Sequence, residues 1–139
     1  MSVSVIVSVN PPTNTLQTVE LSLSDLGELV TAALIALGLS ENEQRIVTKV
    51  LLWAQLRGNS QGLEKIPARA VTPNPNASDI IISHRSPVVT QIDGNLNLGM
   101  VVMERAIDEA IRAANSAGIG IVGTRGTTTS TGAIGYFTE

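Results

Sequence analysis

The sequence predicts an α/β protein in which an N-terminal helical pair is followed by a strand-helix-strand module. Two stretches between Ser24 and Gly58 repeat apolar residues at helical spacing. The runs Ile80–Ile82 and Val88–Ile92 are short, β-branched and bounded by turn residues, as strands are. A third helical pattern, Leu98 to Ala117, leads through Gly118 directly into the apolar run Ile119–Val122.

Taken in order, residues 1–18 read as a flexible arm or as an edge strand for a partner. Val and Ser alternate there before Asn10-Pro-Pro-Thr-Asn14, a break that no regular element tolerates. Ser24 is the expected N-cap of the first helix, with Asp25 and Glu28 in its first turn and Leu26, Leu29, Val30, Ala33, Leu34 and Leu37 along one side. Gly38 stops it. Ser40-Glu-Asn-Glu43 spells a capping box for the second helix, whose stripe is Ile46, Val47, Val50, Leu51, Ala54 and Leu56. Gly62–Ile66 adds one helical turn, and Pro73-Asn-Pro-Asn76 is a linker near the expected boundary at residues 70–80. Asp93-Gly94 is expected to turn the chain after a strand. Ile119–Val122 is expected to be buried, and the Ala/Ile/Tyr pattern after Gly132 to open another helix.

Composition narrows the function classes. In 139 residues, 43% hydrophobic content and 15% charge describe a chain with a real core. A formal net charge of -3 with scattered cations argues against nucleic acid as a partner. There is no cysteine and one histidine, so a thiolate or zinc site is not expected. No run reaches the roughly 18 apolar residues of a membrane helix, and the N-terminus lacks the pattern of a signal peptide, so the expected location is cytoplasmic.

Gly118-Ile-Gly-Ile-Val-Gly123 satisfies the spacing of a dinucleotide fingerprint, but its glycines end a helix and sit in a strand rather than opening a helix after one. It is read as a helix stop with small packing residues. Gly123–Gly132 lacks the lysine of a P-loop, yet Thr127, Thr128, Thr129 and Ser130 can donate hydrogen bonds beside a helix N-terminus. Arg57, in Leu56-Arg-Gly-Asn-Ser-Gln-Gly62, either grips a carboxylate with help from Asn59, Ser60 and Gln61 or complements a helix C-terminus. His84 sits in an exposed bend between strands and is expected to be structural or idle rather than catalytic. Trp53 is expected between the helices, while Tyr136 either reaches a ligand beside Ser130 or covers the core.

Three segments, Arg57-Gly-Asn-Ser-Gln-Gly62, Ile92-Asp-Gly-Asn-Leu-Asn-Leu-Gly99 and Thr128-Thr-Ser-Thr-Gly-Ala-Ile-Gly-Tyr136, occur in the order and spacing of the malate/L-lactate dehydrogenase family that lacks a normal Rossmann fold. Ureidoglycolate and sulfolactate dehydrogenases are relatives. The resemblance runs from about Leu21 to Glu139 and implies the N-terminal part of a longer enzyme, its α/β fold truncated after the first strand-helix-strand module. On this basis 19–75 would be a helical substrate and dimerisation segment, and 76–139 the start of a cofactor-binding domain.

The resemblance further implies an NAD- or NADP-dependent oxidoreductase of a small 2-hydroxy/2-oxo acid such as malate or lactate, assembled as a homodimer or higher homo-oligomer. Arg57 would hold the substrate carboxylate, with Asn59, Ser60 and Gln61 shaping that pocket; Gln61 stands where a histidine is common. Thr129, Thr131 and Gly132 would meet the cofactor. The family's proton-transfer histidine aligns with Ser130, and serine is a poor acid or base near neutral pH. Either Tyr136 or a residue beyond Glu139 donates the proton, or the reaction differs, or activity is lost. The alternative reading is a non-catalytic, truncated or diverged module for dimerisation or small-anion binding.

Overall fold

Ser22, two residues earlier than the expected cap, starts the first helix in the computed structural model, which describes residues 2–8 and 16–139. Its Oγ accepts from the Asp25 N–H at 3.1 Å, and α1 runs Leu23–Ala36. The sequence offers two serines, and the one in extended conformation with its oxygen over the first turn does the capping. Ahead of it, β1 (Ser2–Ser8) and β2 (Leu16–Ser22) pair antiparallel, Ser2 opposite Ser22 and Ser8 opposite Leu16. The break at Asn10–Asn14 lies outside the described residues.

Helix α2 (Glu41–Leu56) begins as its capping box requires: the Glu43 carboxylate accepts from both the backbone N–H and the hydroxyl of Ser40, each at 2.7 Å. Its stripe is the centre of the core. Val47, Val50, Leu51 and Ala54 are fully enclosed, against Leu26, Val30 and Leu34 of α1 and Leu98, Met100 and Val101 near the start of the third helix. Each buried Val, Leu or Met among these contributes roughly 1.5–3 kcal/mol of burial, and Ala54 less. A single apolar cluster therefore joins the helical pair to residues beyond the linker.

The second module is a three-stranded sheet in the order β3-β4-β5. Strands β3 (Ile81–His84) and β4 (Val89–Asn97) are antiparallel, α3 (Gly99–Ala117) crosses over, and β5 (Ile121–Thr127) returns parallel to β4. Asp93-Gly94 is not a turn. Both residues lie inside β4, and the reversal is made earlier, where the Arg85 N–H donates to the Val89 carbonyl at 2.8 Å. The turn-like character of Asp93-Gly94-Asn95 is spent instead on a ladder irregularity, with Asn95 and Leu96 both at positive φ, 42° and 65°.

Ile92, Val102 and Ala106 form a small second core between the sheet and α3. The opposite sheet face is open. Ile119 and Ile121 are 55% and 54% exposed, so the expectation of a buried strand there is corrected: β5 is an edge strand covered by α3 on one side only. Gly118 takes a left-handed φ of 79° to end α3, and any side chain at Gly120 would collide with the Ala110 carbonyl. The glycines of the apparent fingerprint thus serve a helix stop and close packing. After Gly132 the chain makes one 3-10 turn, Ile134–Phe137, rather than the expected helix.

His84 has a definite structural place. It is the last residue of β3 rather than part of the bend, and its Nδ1 lies 3.0 Å from an Arg112 Nη2 and 3.1 Å from Thr90 Oγ1. Glu109 bonds Arg112 at 2.8 Å, and the group ties the β3–β4 hairpin to α3.

Two stability predictions follow from these placements. Leu34→Ala should cost about 2–5 kcal/mol in urea denaturation, whereas Leu29→Ala, at a residue 56% exposed, should change stability by less than about 0.5 kcal/mol. Leu96→Gly removes a side chain from a left-handed residue and should raise the denaturation midpoint, by up to ~1 kcal/mol of stability.

Candidate active site at the end of the second helix

The last turn of α2, the turns that follow it and the segment after β5 converge. Gly62 packs against Gln55 so closely that no side chain would fit, and the Gln55 Oε1 accepts from the Leu63 N–H at 3.1 Å. This pins the 3-10 turn Leu63–Lys65 to the helix. Lys65 is thereby aimed at the terminal segment, where its Nζ donates to Ser130 Oγ at 3.1 Å.

The terminal segment is fixed from its other side. Thr128 donates its N–H to the Asn97 carbonyl at 3.1 Å, and Thr129 Oγ1 accepts from the Gly99 N–H, at the first residue of α3, at 2.9 Å. Gly132 then lies against Val50 and Met100, where a side chain would clash with both, and Gly135 lies against the Trp53 ring. Small residues at these two points let the loop sink between α2 and α3. Ser130 is left exposed at the surface.

Arg57 ends α2 and stacks over Trp53, its guanidinium 4.0 Å from the ring centroid. One of its nitrogens is 2.8 Å from Glu139 Oε2, and the Trp53 indole N–H donates to the same oxygen at 2.9 Å. The arginine expected to hold a substrate carboxylate already faces one. Trp53 is half-buried at this junction rather than enclosed between the helices.

The remaining positions divide. Asn59 Oδ1 accepts from the Gln61 N–H at 2.8 Å, shaping the turn that carries Ser60 outward. Tyr136 packs against the main core and stacks edge-on to Phe137, with centroids 4.9 Å apart. Burial, and secondarily the Glu104 carboxylate, raise its phenol above the ordinary tyrosine value, while Arg45 pulls the other way. That direction opposes proton release near neutral pH. Of the three positions associated with a nicotinamide cofactor, Thr129 Oγ1 already accepts from α3 and Gly132 is packed against Val50 and Met100, while Thr131 is partly exposed.

Lys65, Trp53 and Glu139 belong to this junction although sequence reasoning assigned them no role there. The available signal was the spacing of Lys65 three residues after Gly62 in a one-turn segment, which throws its side chain back towards the helix end. Elsewhere, an open cavity of about 730 Å³ is bordered by Glu43, Asp79, Asn97 and Arg105. The Lys65–Ser130 junction is the better candidate, because there a cation and a hydroxyl from distant segments point at one spot. Among the described residues no cluster of His, Asp and Glu is arranged to hold a metal ion, and no helix is long and apolar enough to cross a membrane.

Residues 21–139 match the model of the malate/L-lactate dehydrogenase family. The L-sulfolactate dehydrogenase of Methanocaldococcus jannaschii is 33% identical over 120 residues, 81% of this chain and 34% of that protein. The malate/(S)-sulfolactate dehydrogenase of Methanothermus fervidus is 33% identical over 100 residues, 68% of this chain and 30% of the relative. Among solved structures, the malate dehydrogenase of Pyrococcus horikoshii superposes with a TM-score of 0.73 at 29% identity, covering 82% of this chain and 34% of that one. That of Entamoeba histolytica superposes with a TM-score of 0.74 at 26% identity, covering 87% and 35%. The chain spans about a third of the length of these relatives. With the family model matched over nearly all of its length and the same fold in the aligned part, the chain belongs to the malate/L-lactate dehydrogenase family.

Proposed function

We propose that this chain forms the acid-handling part of an oxidoreductase that interconverts a small 2-hydroxy acid and its 2-oxo counterpart, with NAD or NADP as redox partner. The observation that supports the reading is the Lys65 hydrogen bond to Ser130, the residue that the resemblance aligns with the family's proton-transfer histidine. Family membership supplies the reaction class. The relatives' names supply the range of acids, malate and sulfolactate, both carrying two acidic groups.

In this reading the chain's own residues bind and orient. Ser130 Oγ, accepting from Lys65, keeps its own proton free to donate to the substrate's C2 oxygen. Lys65 supplies positive charge where negative charge develops during reduction. Arg57 receives a carboxylate at the end of α2, with Asn59, Ser60 and Gln61 shaping the turn beside it. Tyr136 is assigned to the core edge rather than to proton release. Since Thr129 and Gly132 are already engaged, Thr131 is the cofactor position left with an open side. Assembly as a homo-oligomer and a cytoplasmic location are part of the same proposal; the exposed Ile81, Ile119 and Ile121 are surface that assembly would cover.

Kinetics with 2-oxo acids and either reduced nicotinamide test this. Lys65→Met should lower kcat/KM about 10- to 100-fold, the worth of a hydrogen bond to a charged group, and unchanged kinetics would remove Lys65 from the site. Ser130→His should raise kcat by about tenfold or more by restoring a group that titrates near neutrality; a fall in kcat would show that this position does not transfer the proton. Arg57→Ala should raise KM or abolish turnover.

A further inference from the structure

The junction at Arg57 has the parts of an anion site and an occupant. Trp53 Nε1–H and Arg57 Nη2 converge on a single oxygen, Glu139 Oε2, at 2.9 and 2.8 Å. The guanidinium is held in place by its stacking 4.0 Å above the indole. Gly135 lets the terminal 3-10 turn lie directly on the Trp53 ring, which brings Glu139 back over the end of α2. A second Arg57 nitrogen, Nη1, reaches the Trp53 carbonyl at only 3.5 Å, so the group is steered by its stacking and by the carboxylate more than by the helix.

We propose that Trp53 and Arg57 form a binding site for a small carboxylate, and that Glu139 occupies it as an internal ligand which an incoming dicarboxylate displaces. The proposal rests on the reading of Arg57 as an acid-binding residue and adds what that reading lacks, a competitor built into the chain. Exposure favours exchange over permanence. The Arg57 and Glu139 side chains are 45% and 58% exposed, so water solvates both partners once they part. A buried pair would have to leave an unsolvated charge behind, and this one does not. The same interaction explains how one arginine can both end a helix in the resting chain and receive a ligand later.

Trp53 is the protein's single tryptophan, so its fluorescence reports this junction without background. Malonate, a dicarboxylate with no hydroxyl or keto group to oxidise or reduce, serves as the probe. Titrated into the wild-type protein it should change Trp53 emission saturably. In Glu139→Gln, which keeps an acceptor for the indole but removes the charge, half-saturation should come at about two- to fivefold lower malonate, the range expected of an exposed ion pair. Arg57→Met should abolish the response. Circular dichroism and thermal melting of Glu139→Gln should match wild type and so exclude unfolding as the cause.

Identical half-saturation in wild type and Glu139→Gln would overturn the internal ligand, as would the absence of any response in both. The oxidoreductase reading stands or falls separately. Turnover of a 2-oxo acid together with identical malonate titrations would overturn the internal ligand alone. A shifted titration without turnover would support it while removing the reaction assigned above.

Discussion

Burial of the α2 stripe is the constraint on which the rest of this structure depends. Val47, Val50, Leu51 and Ala54 are enclosed by α1 on one side and by the start of α3 on the other, so the two modules are joined through one helix. The candidate site inherits its geometry from that packing. Gly132 rests on Val50 and Met100, which puts the preceding Ser130 at the rim of the same core. Gly62 and Leu63 are held by Gln55, which puts Lys65 at the rim from the opposite direction. Neither side chain is positioned by its own loop alone, since both loops are seated on α2.

Much of the fold was legible because it follows from periodicity and capping. The capping box at Ser40–Glu43, the glycine stop at Gly118 and most of the apolar stripes of three helices are local signals that appear where their residues are. Leu29 and Leu56, expected on the stripes of α1 and α2, are exposed because each lies off the side its helix packs. The misreadings share a different physical origin. Asp93-Gly94 has turn chemistry, but the register of β4 with both neighbours carries the strand through it and leaves the strain on Asn95 and Leu96. Ile121 looks like a core residue, but side chains in a strand alternate faces, and only the face bearing Val122 meets α3. Ser22 and Ser24 cannot be ranked as caps without knowing where β2 ends.

The site was less legible than the fold for a reason of sequence distance. Lys65 meets Ser130 and Arg57 meets Glu139 across separations of 65 and 82 residues, and nothing in either segment announces its partner. Arg57 stands out in the sequence because a guanidinium beside small polar residues is suggestive on its own. Lys65 does not, because a lone lysine in a short turn is the commonest kind of solvated surface residue. Ser130 is marked only by the motif around it, Gly132 and Tyr136, and at that position the motif shows a departure rather than a match.

That departure has a physical consequence for the reaction proposed here. A histidine combines a positive charge and a transferable proton in one ring, at a pKa close to the working pH. In this chain a hydroxyl and a cation come together from different segments, Ser130 and Lys65, and in the proposed reaction Ser130 would face the substrate with Lys65 behind it. A cation bonded to a serine oxygen stabilises the alkoxide and so raises the hydroxyl's acidity, which in the proposed reaction makes the pair one unit, sensitive to anything that moves the Leu63–Lys65 turn. Because the turn is seated on Gln55 and the serine loop on Val50, the distance between the two groups is set by the length of α2 between those residues. The chemistry at the surface is therefore spaced by the helix that organises the core.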